Sequence, residues 1–463
     1  MESAINRSQR YIESTLQNGS LEELQGLFAE VHPADLAKAL EELEDDRFDA
    51  ILAQMPPEVF GELVEHMPAT DAVEHLENSD EKFRKEALAN LADDELVDLL
   101  QEIPEANRSG FVELLSEDAQ EKSRKLMAFP EESAGGRMTT DISTISEAMT
   151  IREAIEKLAA VKETSELLSR IYVVDDRGRL LGKVRLRDLT FNPRDQKISE
   201  IMDGDLLSID AFEDQEEAAR MMTRYDLVAL PVINADLQVI GAITHDDAME
   251  ILEEEASEDI EKLSGIQASD PDATYLRISV MGHFRLRFAW VVSMAFLAII
   301  SGFVLYKYEH VLSSISMLAL YIPMVVAAGG NTGSQSATMV IRAMSLGEFN
   351  TKDFLSVIWK EVRIGMLLGA LVGISVFVQI QIFQFGSLPS GVSLFSVALV
   401  VSLSLMIQIT TSTLLGSSLP LLARLMRADP AAVASPVITT VVDVTGMLIY
   451  FLLATTFIPL ATT

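Results

Sequence analysis

Between Arg363 and Arg424 the chain runs for sixty residues without a charged side chain. About 20 apolar residues suffice to cross a hydrocarbon core, so this stretch is too long for one span and must hold two. The turn that divides them is Gly386-Ser-Leu-Pro-Ser-Gly391. Uncharged runs also extend from Phe288 to Tyr306 and from His310 to Ile341, and a further apolar stretch reaches from Ala432 to Pro459. Five spans follow as an expectation, near residues 288–306, 313–342, 362–385, 392–422 and 433–459.

The rest of the chain is a different material. Residues 1–270 carry 63 acidic and 26 basic side chains, a net −37, against 7 and 10, a net +3, in residues 271–463. So acidic a surface repels nucleic acid and anionic lipid and attracts cations. With no cysteine, disulfide scaffolds and thiolate metal sites are excluded. The first twenty residues lack an apolar core, so no secretory leader is expected and the acidic part should stay in the cytoplasm. An odd number of spans puts the termini on opposite sides. Arg277, Arg285, Arg287, Arg342, Lys352, Lys360, Arg363, Arg424 and Arg427 then share the amino-terminal side, with Lys307 alone on the other. This is the positive-inside pattern, with the amino terminus cytoplasmic and the carboxy terminus outside. Five spans are few to enclose a pathway alone, which points to a homodimer in the lipid bilayer with the route near its axis.

Asp443 is the one acid well inside an apolar span, in Thr439-Thr-Val-Val-Asp443-Val-Thr-Gly446. A carboxylate at that depth costs at least a few kcal/mol, about 3 on insertion scales, and normally faces a water-filled cavity used by ions. Asp443 with Thr439 and Thr440 is therefore a candidate ion site. Span two carries Pro323 and Ala328-Gly-Gly-Asn-Thr-Gly-Ser-Gln335. Here Ala328, Gly329, Gly330, Asn331 and Gln335 could open the helix and offer carbonyl and amide oxygens to an ion. Small residues also serve close helix packing, the competing explanation. All six histidines lie outside the span cores, so the donors are oxygen and the ion is a hard cation, Mg²⁺, Ca²⁺ or Mn²⁺.

An internal repeat lies within residues 138–255. Ile171-Tyr-Val-Val-Asp-Asp-Arg-Gly-Arg-Leu-Leu-Gly182 matches Leu230-Pro-Val-Ile-Asn-Ala-Asp-Leu-Gln-Val-Ile-Gly241 at an offset of 59. The pattern resembles a tandem cystathionine-beta-synthase (CBS) pair, a regulatory module whose resemblance implies adenine nucleotide as a ligand. Thr244-x-x-Asp247 matches the family's ribose-phosphate motif, whereas the first copy has Arg185-x-x-Asp188. Thr244, Asp247, Arg187 and Asp188 are the candidate contacts, for one nucleotide per chain or for none. Residues 1–135 show helical periodicity restarting at Pro or Asp, which predicts a small α-superhelix. From Asp246 to Lys262, acids three and four apart line a long connecting helix.

In order, these features resemble the MgtE family of magnesium channels and transporters. The carriers are Glu132-Ser-Ala-Gly-Gly-Arg-Met138, the CBS pair, Glu255-Ala-Ser-Glu-Asp259, Pro323 with Gly329–Thr338 and Arg342, Asp429-Pro-Ala431, Ser435-Pro436 and Asp443-Val-Thr-Gly446. The resemblance implies a multidomain membrane protein: an all-α amino-terminal superhelix (1–135), CBS 1 (136–199), CBS 2 (200–245), a connecting plug helix (246–270) and a five-helix transmembrane pore domain (271–463). It implies a homodimeric, Mg²⁺-selective uptake channel of the cytoplasmic (inner) membrane, with Asp443 as principal Mg²⁺ contact. It further implies closure when cytosolic Mg²⁺ bridges acids of the cytosolic domains. Glu258, Asp259 and Asp429 match sensor positions. Asp93, Asp94 and Asp98 are nominated from the amino-terminal domain, with Asp247 and Glu255 completing the regulatory metal set and ATP an optional ligand of the CBS pair. The alternatives are a broader divalent transporter (Co²⁺, Mn²⁺, Ca²⁺) and a membrane Mg²⁺ or nucleotide sensor that transports nothing. No catalytic triad, phosphate loop or metal-ligand helix indicates an enzyme.

Overall fold

The computed structural model describes residues 12–458 except 13, 18, 42, 44, 161–169, 268–274, 276, 277, 384–387, 390 and 427. Arg277, Arg427 and part of the expected Gly386–Gly391 turn lie outside the described residues. The chain divides into two compact units, one ending at Glu255 and the other beginning at Ala256.

The first unit opens with short helices: α1 (Leu21–Glu30), α2 (Pro33–Glu41), α3 (Asp45–Leu52), α4 (Pro57–Val64), α5 (Ala69–Asn78), α6 (Glu81–Leu88), α7 (Asp93–Glu102), α8 (Glu105–Val112) and α9 (Glu117–Leu126). Their starts are written in the sequence. Ser20 and Glu23 form a capping box on α1, Asp80 and Ser116 cap α6 and α9, and Pro56, Pro68 and Pro104 precede α4, α5 and α8. Several helices pack on the one two places along, α2 on α4, α4 on α6, α5 on α7 and α7 on α9, the stacking expected of a superhelix. Leu36, Leu40, Ile51, Phe60, Leu63, Leu76 and Leu100 form a continuous core through the stack.

The repeat folds into two equivalent three-stranded sheets. β1 (Ser143–Ser146) pairs parallel with β2 (Ile171–Val174), which pairs antiparallel with β3 (Leu180–Val184). β4 (Ile209–Asp210), β5 (Ala229–Ile233) and β6 (Val239–Thr244) repeat the arrangement. Helices α10 (Ile151–Ala160), α11 (Leu186–Phe191) and α12 (Gln215–Arg224) accompany the sheets. The matched glycines Gly182 and Gly241 serve one purpose, because a Cβ at either would lie 2.7 Å from a carbonyl of a crossing segment, Asp203 and Thr139 respectively. The long acidic connector is the helix α13 (His245–Leu263).

The second unit is a helical bundle of α14 (Val280–Lys307), α15 (Glu309–Ser314), α16 (Ile322–Ser345), α17 (Phe354–Phe383), α18 (Leu394–Leu425) and α19 (Pro430–Phe457). Among the described residues, four segments are long and apolar enough to cross a membrane: α14, α17, α18 and Ile438–Phe457 of α19. The expected glycine-rich span is not among them, because Asn331, Thr332, Ser334, Gln335 and Ser336 make α16 too polar; the count of five therefore stands unconfirmed. α18 is the centre, packed by α16, α17 and α19, while α14 leans chiefly on α19 and exposes most of its apolar surface. Small residues set these approaches. On α17, Gly365, Gly369 and Gly373 lie against α18 so closely that Cβ atoms would come within 3.1, 2.7 and 2.9 Å of Thr410 Cα, the Met406 carbonyl and the Ser402 carbonyl.

The expected opening of span two is corrected by the structure. α16 is helical without interruption through Ala328–Gln335, and the irregular backbone lies before it, in a 3₁₀ turn at Ser316–Tyr321. The physical reason is packing. Gly329 and Gly333 are buried where Val442, Ile438, Ser412 and Gln408 press against them, so the glycines admit neighbouring helices rather than unwind their own.

Candidate ion pathway and regulatory sites

Asp443 sits part-buried in α19, and among the described residues no ion pair reaches it. Thr439 and Thr440, one turn earlier, share its side of the helix; Thr440 Oγ1 lies 3.8 Å from Met294 Sδ on α14. The preceding residue, Val442, is wholly buried, and a Cβ at Gly329 would come within 2.8 Å of it. Asp443 follows it on α19, a helix that packs on α16, α18 and α14. On α16, Val325, Gly329, Gly333, Ser336 and Ala337 face the bundle, whereas Ala327, Asn331 and Gln335, four apart, are exposed. Gly330 has open space where a Cβ would stand, and Ala328 is half-buried. Asn331 and Gln335 thus place two side-chain amides on the exposed face of α16.

Leu263, the last residue of α13, packs on Ala337, Ile341, Ile438 and Val442, so the connecting helix ends on the α16–α19 seam. The residue before it, Lys262, holds its Nζ 2.5 Å from Glu258 and 2.7 Å from Asp429. Burial opposes the ammonium charge, but hydrogen bonds and attraction from the two carboxylates outweigh it and push the pKa above the usual lysine range. Two expected sensor carboxylates are thus brought together, with a lysine as their shared cation.

In the first unit Asp93 opens α7, 3.0 Å from Lys122 and accepting from Thr140 Oγ1. Arg137, in the Glu132–Met138 segment, pairs with Glu254 and lies 3.8 Å from Asp98, tying α7 to α13. Its Nε donates to Gln215 at 2.9 Å, and Gln215 donates to Glu255 at 2.7 Å. Between Asp94 and Asp98 stands Glu95, which the sequence reading passed over; burial first, then Asp94, Asp98, Glu250 and Glu65, push its carboxyl up to about 9. Among the described residues no group of three or more His, Asp or Glu side chains is arranged to hold a metal ion. The acids around α7 are close neighbours held by Arg137 and Lys122, and Asp259 stands partly exposed on α13.

The expected nucleotide residues make local contacts with one another and with their neighbours. Thr244 Oγ1 donates to Asp247 at 2.6 Å and the Thr244 N–H to the same oxygen at 3.0 Å, which caps α13. Asp188 likewise accepts from the Arg185 N–H at 3.2 Å and lies 3.7 Å from Arg187. A cleft of about 250 Å³ opens elsewhere between the two repeats, lined among others by Arg170, Tyr172, Lys183, Asp205, Tyr225 and Pro231. It joins two basic side chains, two aromatic rings and a buried Tyr172 hydroxyl with no hydrogen-bond partner among the described residues. These residues come from strands and loops far apart in sequence, so no local spacing announces them.

Residues 322–453 match the family described as divalent cation transporter MgtE, residues 31–132 the MgtE intracellular N domain, and residues 134–193 and 198–254 the CBS domain. The chain is 32% identical to the magnesium transporter MgtE of Thermus thermophilus over 446 residues, 96% of this chain and 97% of that one. It belongs to the MgtE transporter family. The magnesium transporter MgtE of Bacillus subtilis is 29% identical over 96% of each chain. The cytosolic domain of the Mg²⁺ channel MgtE, solved in complex with ATP, superposes with a TM-score of 0.50 at 30% identity, covering 52% of this chain and 99% of that one. Family membership together with the apolar helices makes this a multi-pass membrane protein.

Proposed function

We propose that this chain is a Mg²⁺ channel for uptake across the cytoplasmic membrane, closed by cytosolic Mg²⁺. Two copies enclose the pathway, with the amino-terminal unit cytoplasmic and the carboxy terminus outside. The observation that carries the reading is Asp443, a carboxylate without an ion pair among the described residues, beside a helix whose outer face offers Asn331 and Gln335. Mg²⁺ surrenders its water reluctantly, so one carboxylate from each of two chains, with amide and hydroxyl oxygens, can hold it through its hydration shell. Its relatives are magnesium transporters over nearly their whole length, which supports Mg²⁺ as the cargo.

For gating, the end of α13 on the α16–α19 seam supports a plug. Withdrawal of cations from a surface of net −37 leaves its acids to repel one another and frees the plug. Asp93, Asp94, Asp98, Asp247, Glu255, Glu258, Asp259 and Asp429 are the residues assigned to regulatory Mg²⁺. An adenine nucleotide belongs in the cleft lined by Arg170, Tyr172, Lys183 and Tyr225, where the rings would stack the base and the cations meet phosphate. The test is Mg²⁺ flux into proteoliposomes. Flux that vanishes in Asp443→Ala and falls as Mg²⁺ rises on the cytoplasmic face supports the channel; flux of Co²⁺, Mn²⁺ or Ca²⁺ at equal rates favours the broader transporter. No flux by wild type under any condition favours a sensor.

A further inference from the structure

Gln408 lies midway along α18 and is completely buried at the contact of three helices. Its side chain occupies a slot that two glycines leave open. A Cβ at Gly446 of α19 would stand 2.7 Å from its Nε2, and a Cβ at Gly329 of α16 would collide with the same atom. From this slot Nε2 donates to the carbonyl of Val442 at 2.7 Å. That carbonyl precedes Asp443, and in an α-helix it already serves the N–H four residues on; Thr445 Oγ1 donates to it as well, at 3.1 Å. The other half of the amide, Oε1, is buried with no hydrogen-bond partner among the described residues, as is the neighbouring Ser412 hydroxyl. An apolar side chain of the same length would fill the slot with no such penalty. What glutamine adds is the one bond to Val442.

We infer that Gln408 is a positioning residue for Asp443: by tethering the Val442 carbonyl to α18 it fixes the rotation of α19 and so the direction in which the Asp443 carboxylate meets the ion. The inference rests on Asp443 being the pore contact. Partners that orient a metal ligand change metal affinity about ten- to hundred-fold when removed, a larger and more specific effect than loose packing produces.

The experiment measures Mg²⁺ influx against external Mg²⁺ in proteoliposomes holding equal amounts of folded full-length protein. Gln408→Met keeps the length and removes the donor, and should raise the half-saturating Mg²⁺ about tenfold. Gly446→Ala, which displaces the amide without deleting it, should shift it the same way and carries the test if Gln408→Met does not fold. Ser412→Ala, which alters the slot but leaves the Gln408–Val442 hydrogen bond in place, should leave half-saturation unchanged. Lower maximal flux with unaltered half-saturation in both Gln408→Met and Gly446→Ala would make Gln408 helix-packing glue and overturn the inference. Wild-type flux in Asp443→Ala would instead overturn the pore reading itself, whatever Gln408 does.

Discussion

Glu95 shows how single residues carry the chemistry of the acidic unit. Its carboxyl, ordinarily ionising near 4.5, is held up to about 9 by burial and by four neighbouring acids. Between these values the folded chain keeps a proton that the unfolded chain has released, so this group makes folding less favourable as pH rises through that window. In EDTA, the wild-type chain should melt at a lower temperature at about pH 8 than at about pH 5.5. Glu95→Gln should remove part of that slope and stabilise the alkaline side; a variant less stable than wild type at alkaline pH would contradict it. Lys262 supplies the opposite case, a cation shared by Glu258 and Asp429. Lys262→Met should cost the metal-free protein about 1–2 kcal/mol, as charged hydrogen bonds at a partly exposed site do. It should also make melting temperature more responsive to Mg²⁺, since a divalent ion can take the ammonium's place. An unchanged Mg²⁺ response would remove these two carboxylates from the sensor.

At the scale of elements, periodicity was legible and shape was not. The offset of 59 between Gly182 and Gly241 corresponds to two equivalent sheets because both glycines meet a crossing carbonyl. By contrast, Ala328–Gln335 reads equally as an opened helix or as a packed one, since glycine permits both; only Gln408, Ser412 and Val442 pressing on Gly329 decide for packing. Thr244-x-x-Asp247 has the same ambiguity, because the spacing that binds a ribose phosphate is also the spacing of a helix cap. The α17–α18 contact yields the sharpest element-scale expectation. Gly369→Val would drive a side chain into the Met406 carbonyl, 2.7 Å from the Cβ position. The cost expected of such overpacking is about 1–3 kcal/mol, read as a lower melting temperature in detergent. A melting temperature equal to wild type would mean that α17 and α18 do not meet as described.

For the whole molecule, charge distribution announced the architecture: a net −37 over residues 1–270 and long uncharged runs beyond cannot share one solvent. The place of the connecting helix was not written in its acids, which would suit any solvated face; Leu263 against Ile438 and Val442 supplies it. A cation-seeking unit is thus joined to a helical bundle that carries Asp443 within an apolar helix. The measurement that tests the channel reading most directly is Mg²⁺ influx into proteoliposomes of wild type and Asp443→Ala at matched amounts of folded protein, with Mg²⁺ varied on the cytoplasmic face. Wild-type influx should decline as cytoplasmic-face Mg²⁺ rises, and Asp443→Ala should show none. Influx through Asp443→Ala equal to wild type would contradict it.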